Sequence, residues 1–199
     1  MKNLFLYAGL VFLGLSLLCF FLLLRRTSEK GKRIDPSRLG ILLSLCLVLG
    51  FVEGMLPDIF VPGVKLGLSN VVILLAIYAY GWKEGLLLGV LKALLISFFT
   101  GTFLSMGGWM SISGTLLSVI LMILLHTLFK RFSPIAVSLL GALGHFLGQL
   151  FIASIYLGSP IWGYAPLGMV LALLTGVLTG ILATILLKRK TLLRRGEEA

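Results

Sequence analysis

Apolar residues run through this chain in long blocks, and the polar positions fall between blocks rather than alternating within them. Seven blocks are legible. The first covers residues 4–24, and the others cover about 39–56, 67–82, 84–100, 111–129, 134–156 and 166–187. Most hold about 18 or more residues, enough for a helix to cross a hydrocarbon layer of roughly 30 Å. Glycine, proline and charge punctuate them. The pattern predicts an all-α integral membrane protein. Residues 39–188 form a six-helix membrane domain, with one extra transmembrane helix before it (1–25), a basic linker (26–38) and a basic tail (189–199). The first block has no small-x-small cleavage site after it and reads as an uncleaved helix. The block at 67–82 is short for a span, so its helix is expected to tilt little or to be partly re-entrant.

Composition agrees: 59% of the 199 residues are hydrophobic and 12% are charged. The net charge of +10 raises the question of nucleic acid. Its distribution answers it, because most basic residues flank apolar blocks, as the positive-inside bias requires. The stretch RRTSEKGKRIDPSR (residues 25–38) carries six basic and two acidic residues and is assigned to the cytoplasm. The loops then alternate. Those at 81–84, 130–133 and 188–199 carry Lys83, Lys130, Arg131, Lys188, Arg189, Lys190, Arg194 and Arg195, whereas those at 57–66, 101–110 and 157–165 carry only Lys65. Both ends of the six-helix domain, and the C terminus, are therefore expected in the cytoplasm. Cys19 and Cys46 lie inside apolar blocks at no metal or redox spacing, so no metal or cofactor is expected.

Against this background, ionisable groups inside apolar blocks stand out. Lys92 lies mid-block and shares a helical face with Gly85 and Gly89. His145 and Gln149 are one turn apart, on a stripe with Gly141 and Gly148. Counting about 1.5 Å per residue places Lys92 and His145 at similar depth. Glu53 lies near the outer end of its block and leans toward Lys92, so a Glu53–Lys92 pair is geometrically open, as is a solvated Glu53. The outer loops add Asp58, Lys65, Asn70, Trp109, Tyr156, Trp162 and Tyr164. Their aromatics suit interfacial anchors and equally an outward cage for a flat or amphipathic ligand. The stretch GTFLSMGGWM (101–110) fits a mobile lid or an ordinary turn.

Small residues recur four apart in several blocks, the spacing that lets helices approach closely in lipid. They serve either the internal bundle or a partner subunit, and the first and last blocks of the six carry the longest runs.

The stretch PGVKLGLSNVVILLAIYAYGWKEGLLLGVLKALLISFFTGT (62–102) resembles the Gx transporter family, often labelled heptaprenyl diphosphate synthase component I. It also resembles the substrate-binding S components of energy-coupling-factor (ECF) transporters. The shared features are Leu-Gly-Leu-x-Asn after the first outer loop, then Tyr-x-x-Gly, then a glycine-spaced helix. The resemblance implies an S-component-like six-helix bundle in a bacterial plasma membrane and a pocket open to the outside. It also implies coupling to a transmembrane T component and two ATPase subunits. Gly40, Ser44, Cys46, Gly50 and Gly54 are the small positions matching the T-component contact; the usual alanine pair is absent, and the extra N-terminal helix departs from the pattern. Substrate contacts are expected from Glu53, Asp58, Lys65, Asn70, Lys92, Trp109, His145, Gln149, Trp162 and Tyr164. The expected cargo is a small vitamin-like or isoprenoid-related molecule.

Synthase chemistry is not expected. Prenyl diphosphate synthases hold magnesium with clustered aspartates, and this chain has two, Asp35 and Asp58, on opposite sides of the membrane by the charge pattern. There is no P-loop, so ATP use falls to partners. The alternative reading is a structural membrane subunit of a flavin-linked electron-transfer complex.

Overall fold

The computed structural model describes residues 35–55, 65, 67–129 and 132–197. The N-terminal helix expected at 1–25, Asp58, Lys130 and Arg131 lie outside the described residues. Among the described residues there are six α-helices and no strand: α1 (Pro36–Met55), α2 (Asn70–Ala79), α3 (Trp82–Phe99), α4 (Met106–Leu128), α5 (Pro134–Leu157) and α6 (Ala165–Glu197). A 3-10 turn, Ser159–Tyr164, joins α5 to α6. The chain is an all-α integral membrane protein. α1, α4, α5 and residues Ile161–Arg189 are long and apolar enough to cross a membrane.

Local chemistry sets the boundaries. The Ser133 hydroxyl accepts from the Ala136 N–H at 3.3 Å ahead of Pro134, a serine cap followed by proline at the first helical position. Ser105 caps α4 by accepting from the Gly108 N–H at 3.4 Å. The stretch expected as a lid or turn at 101–110 is therefore half helix. The rest is a hydrogen-bonded corner, in which the Thr102 N–H reaches the Ser97 carbonyl and the Ser105 N–H reaches the Thr102 carbonyl, both at 2.9 Å.

α4 and α5 pack most closely. A side chain at Gly148 would meet the Ser113 carbonyl oxygen at 2.8 Å and the Gly114 Cα at 2.9 Å, so the two backbones touch there. On the far side of α5, Gly176 and Gly180 of α6 rest on the Cα atoms of Leu139 and Ile135, and the Ser138 and Thr179 hydroxyls bond at 2.8 Å. These small residues build the internal bundle. α1 and α6 are peripheral, with Ile41, Val48, Val170 and Leu178 exposed as lipid-facing residues should be.

α2 sits at the centre. Asn70 to Leu74, Ala76 and Ile77 are all buried, packed against Leu88, Val119, Met122 and Val137. A helix that is apolar all round belongs in such a position. Its ten residues span about 15 Å, half the hydrocarbon thickness. One end turns tightly into α3 through Gly81 (φ +130°), beside the Arg38 guanidinium stacked on the Tyr80 ring at 4.7 Å. The other end stops inside the bundle. The helix is thus about half a span in length, shorter than the 67–82 block, and residues 67–69 are polar backbone held against the buried interior of the bundle. Such backbone is tolerated only where protein groups satisfy it.

Candidate functional site

The groups that satisfy it form a buried polar cluster around the first turn of α2. Ser118 lies twelve residues into α4, about 18 Å along that helix, and Lys92 lies seven residues from the end of α3, about 10 Å. Both reach Asn70. The Lys92 ammonium donates to Asn70 Oδ1 at 2.9 Å, and Asn70 Nδ2 donates to Ser118 Oγ at 3.3 Å. The amide orientation is forced, because an ammonium can only donate. Lys92 is 3% exposed.

Glu53 approaches the same turn from α1 and is 5% exposed. One carboxylate oxygen accepts from the Gly67 N–H, and the other accepts from the Ser69 hydroxyl at 3.4 Å. Gly67 has φ +79°, a left-handed conformation that favours glycine. Cys46, two turns earlier on the same face of α1, directs its thiol at the Ser69 carbonyl at 3.8 Å. The Glu53–Lys92 ion pair left open by the sequence does not form. Both charges instead grip the turn between them, Glu53 through Gly67 and Ser69, Lys92 through Asn70. Among the described residues the salt bridge is Arg38–Asp35, at the opposite end of α1.

α5 closes the third side. Gln149 Oε1 accepts the Lys65 backbone N–H at 3.2 Å, which leaves Gln149 Nε2 facing His145 Nε2 at 3.0 Å. An amide nitrogen only donates, so His145 accepts at Nε2 and carries its proton on Nδ1. That Nδ1 is buried against the Gly114 backbone. Room for the ring comes from two glycines: a Cβ at Gly67 would meet His145 Cδ2 at 3.1 Å, and one at Gly114 would meet Nδ1 at 3.0 Å. Ser97 Oγ and Thr115 Oγ1 are buried without a partner among the described residues. The Lys65 ammonium and the Glu53 carboxylate lie within electrostatic range of Lys92.

The structure thus brings together Glu53, Lys65, Asn70, Lys92, His145 and Gln149 of the residues singled out in the sequence. Trp109 is half-buried on the first turn of α4, nine residues or about 13 Å along the helix from Ser118. Trp162 and Tyr164 are exposed on the 3-10 turn. These aromatics stand at the rim of the bundle and not in the cluster. The α1 stripe divides. Among the described residues nothing approaches Gly40 or Gly54 and Ser44 is exposed, whereas Cys46 is fully buried and Gly50 packs on Ile96 of α3. Cys46 and Gly50 are therefore part of this chain's own core, not of a free face.

Sequence reasoning missed Gly67, Ser69, Ser97, Gly114, Thr115 and Ser118. A signal existed for the α4 members: Ser111, Gly114, Thr115 and Ser118 recur at helical spacing on one buried face.

A family model described as heptaprenyl diphosphate synthase component I matches residues 42–186. No curated protein and no solved structure matches the chain.

Proposed function

Since the chain belongs to the heptaprenyl diphosphate synthase component I family over residues 42–186, we propose that it is the membrane-embedded, substrate-binding subunit of an ECF-type transporter for a small vitamin-like or isoprenoid-related molecule. The observation that carries this reading is the polar cluster at the broken end of α2. Lys92, Glu53, Asn70, His145 and Gln149 are all buried at membrane depth, where such groups are costly and mark functional sites. A bundle held only by packing has no use for five of them around one intramembrane helix end. Discontinuous helices that end near the bilayer midplane are a recurrent way of building transport sites.

Binding, and not synthase catalysis, is the role proposed. Asp35 is engaged at the start of α1, with the Ser37 N–H at 3.1 Å and Arg38 at 3.8 Å. That leaves Asp58 as the one other aspartate in the chain. With the charge pattern placing the C terminus in the cytoplasm, the cluster is reached from the outer side, past Lys65. Gly40, Ser44 and Gly54 remain as an open small-residue face on α1 for a transmembrane coupling subunit.

Affinity purification of the full chain from its native membrane tests this. The expected result is co-purification of a transmembrane coupling subunit with ATPases, and ATP-dependent uptake by the reconstituted assembly. Stable co-purification with non-ATPase electron-transfer partners, with Lys92 or His145 variants altering assembly alone, would establish the structural-subunit alternative instead.

A further inference from the structure

The donor and acceptor balance of the cluster points to the charge of what it binds. Lys92 has three N–H donors and, among the described residues, uses one of them, on Asn70. Glu53 makes no ion pair with it among the described residues, its two oxygens accepting instead from the Gly67–Ser69 turn. Among the described residues, two ammonium groups, Lys92 and Lys65, share this region with one carboxylate, Glu53. The first turn of α2 adds the positive end of a ten-residue helix. Among the described residues the cluster therefore carries a surplus of about one positive charge and two unused N–H donors on Lys92.

Resting on the substrate-binding reading above, we infer that the site takes its substrate through a single monoanionic group, a carboxylate, received by Lys92. A carboxylate accepts and never donates, and it has about four lone-pair positions to offer. A neutral amide would leave the charge uncompensated, an amine would add to it, and a diphosphate would overshoot it.

The test is thermal unfolding of the full chain in lipid nanodiscs with matched probes. One set is indole-3-acetate, indole-3-acetamide and tryptamine. A second is octanoate, octanamide and octylamine, and pyrophosphate is added alone. The carboxylate member of a set is expected to raise the midpoint where its amide and amine partners do not. Lys92→Gln should weaken that carboxylate by about tenfold to a hundredfold, the worth of a charge-assisted hydrogen bond, and Lys92→Arg should weaken it less. Should Lys92→Gln not fold, the comparison within each set on the unaltered chain decides the matter. An amide, an amine or pyrophosphate that stabilises as well as the carboxylate overturns the monoanion assignment and leaves substrate binding standing. No shift with any charge class counts against both.

Discussion

Replacing Asn70 with alanine is the most informative single perturbation of the cluster. Asn70 makes two contacts of different kind: it accepts from the buried ammonium of Lys92 at 2.9 Å and donates to the neutral hydroxyl of Ser118 at 3.3 Å. A neutral interhelical hydrogen bond in a bilayer is worth about 0.6 kcal/mol on average, so Ser118→Ala should cost about that much. Asn70→Ala also strips Lys92 of its described acceptor. Removing the neutral acceptor of a hydrogen bond to a buried charge costs about 1.5–3 kcal/mol. Asn70→Ala is therefore expected to destabilise the bundle about three to five times as much as Ser118→Ala. Adding Lys92→Met to Asn70→Ala removes the stranded charge and should recover about half of the loss or more. Unfolding of the purified chain in mixed micelles, followed by circular dichroism against increasing SDS, measures the unaltered chain, Ser118→Ala, Asn70→Ala, Lys92→Met and the Asn70→Ala, Lys92→Met pair. Equal losses for Asn70→Ala and Ser118→Ala would refute the reasoning. So would losses for Asn70→Ala and Lys92→Met that simply add.

Four further outcomes are expected. Gly67→Ala forces a side chain into the left-handed region and sets its Cβ 3.0 Å from Asn70 Nδ2, so it should cost about 1–2 kcal/mol and lower the thermal midpoint. Gly148→Val wedges α5 off α4 and should cost about 1–3 kcal/mol in the same unfolding assay, as overpacking does. Gly40→Leu with Gly54→Leu meets open space and should leave stability within about 0.5 kcal/mol, while lowering recovery of a coupling subunit in the pull-down. Gly50→Leu should instead destabilise the isolated chain, because Ile96 occupies that space.

Much of the fold was legible because lipid enforces simple rules. Apolar block length gave the helices, and serine, proline and glycine gave their ends to within a few residues at Pro134 and Leu157. Lys92, His145 and Gln149 could be singled out because an ionisable or amide side chain inside an apolar block needs a partner, and Asn70 because it stands where the first outer loop runs into one. Their pairing was harder to read. Depth counting put Lys92 and His145 near one level, with Glu53 leaning toward Lys92 from above, but could not show that the turn at Gly67–Asn70 passes between Glu53 and Lys92. That turn depends on α2 stopping halfway, a fact of three-dimensional packing that a continuous apolar run from Val71 to Ala79 conceals. Serine and threonine on α4 escaped notice for a related reason: in a helix they satisfy themselves on backbone carbonyls, as Thr127 does at 2.8 Å from Ile123, so their presence alone marks nothing. On α1, spacing by four hid a division between inward Cys46 and Gly50 and outward Gly40, Ser44 and Gly54.

The central claim is that the cluster around Asn70 and Lys92 holds a substrate. Mass spectrometry of small molecules released from the purified full chain tests it most directly, with Asn70→Ala purified in parallel. A molecule released in roughly one-to-one amount from the unaltered chain, and depleted from Asn70→Ala, is the expected result. Release of nothing above the lipid and detergent background, or of the same molecule in equal amount from both proteins, would contradict it.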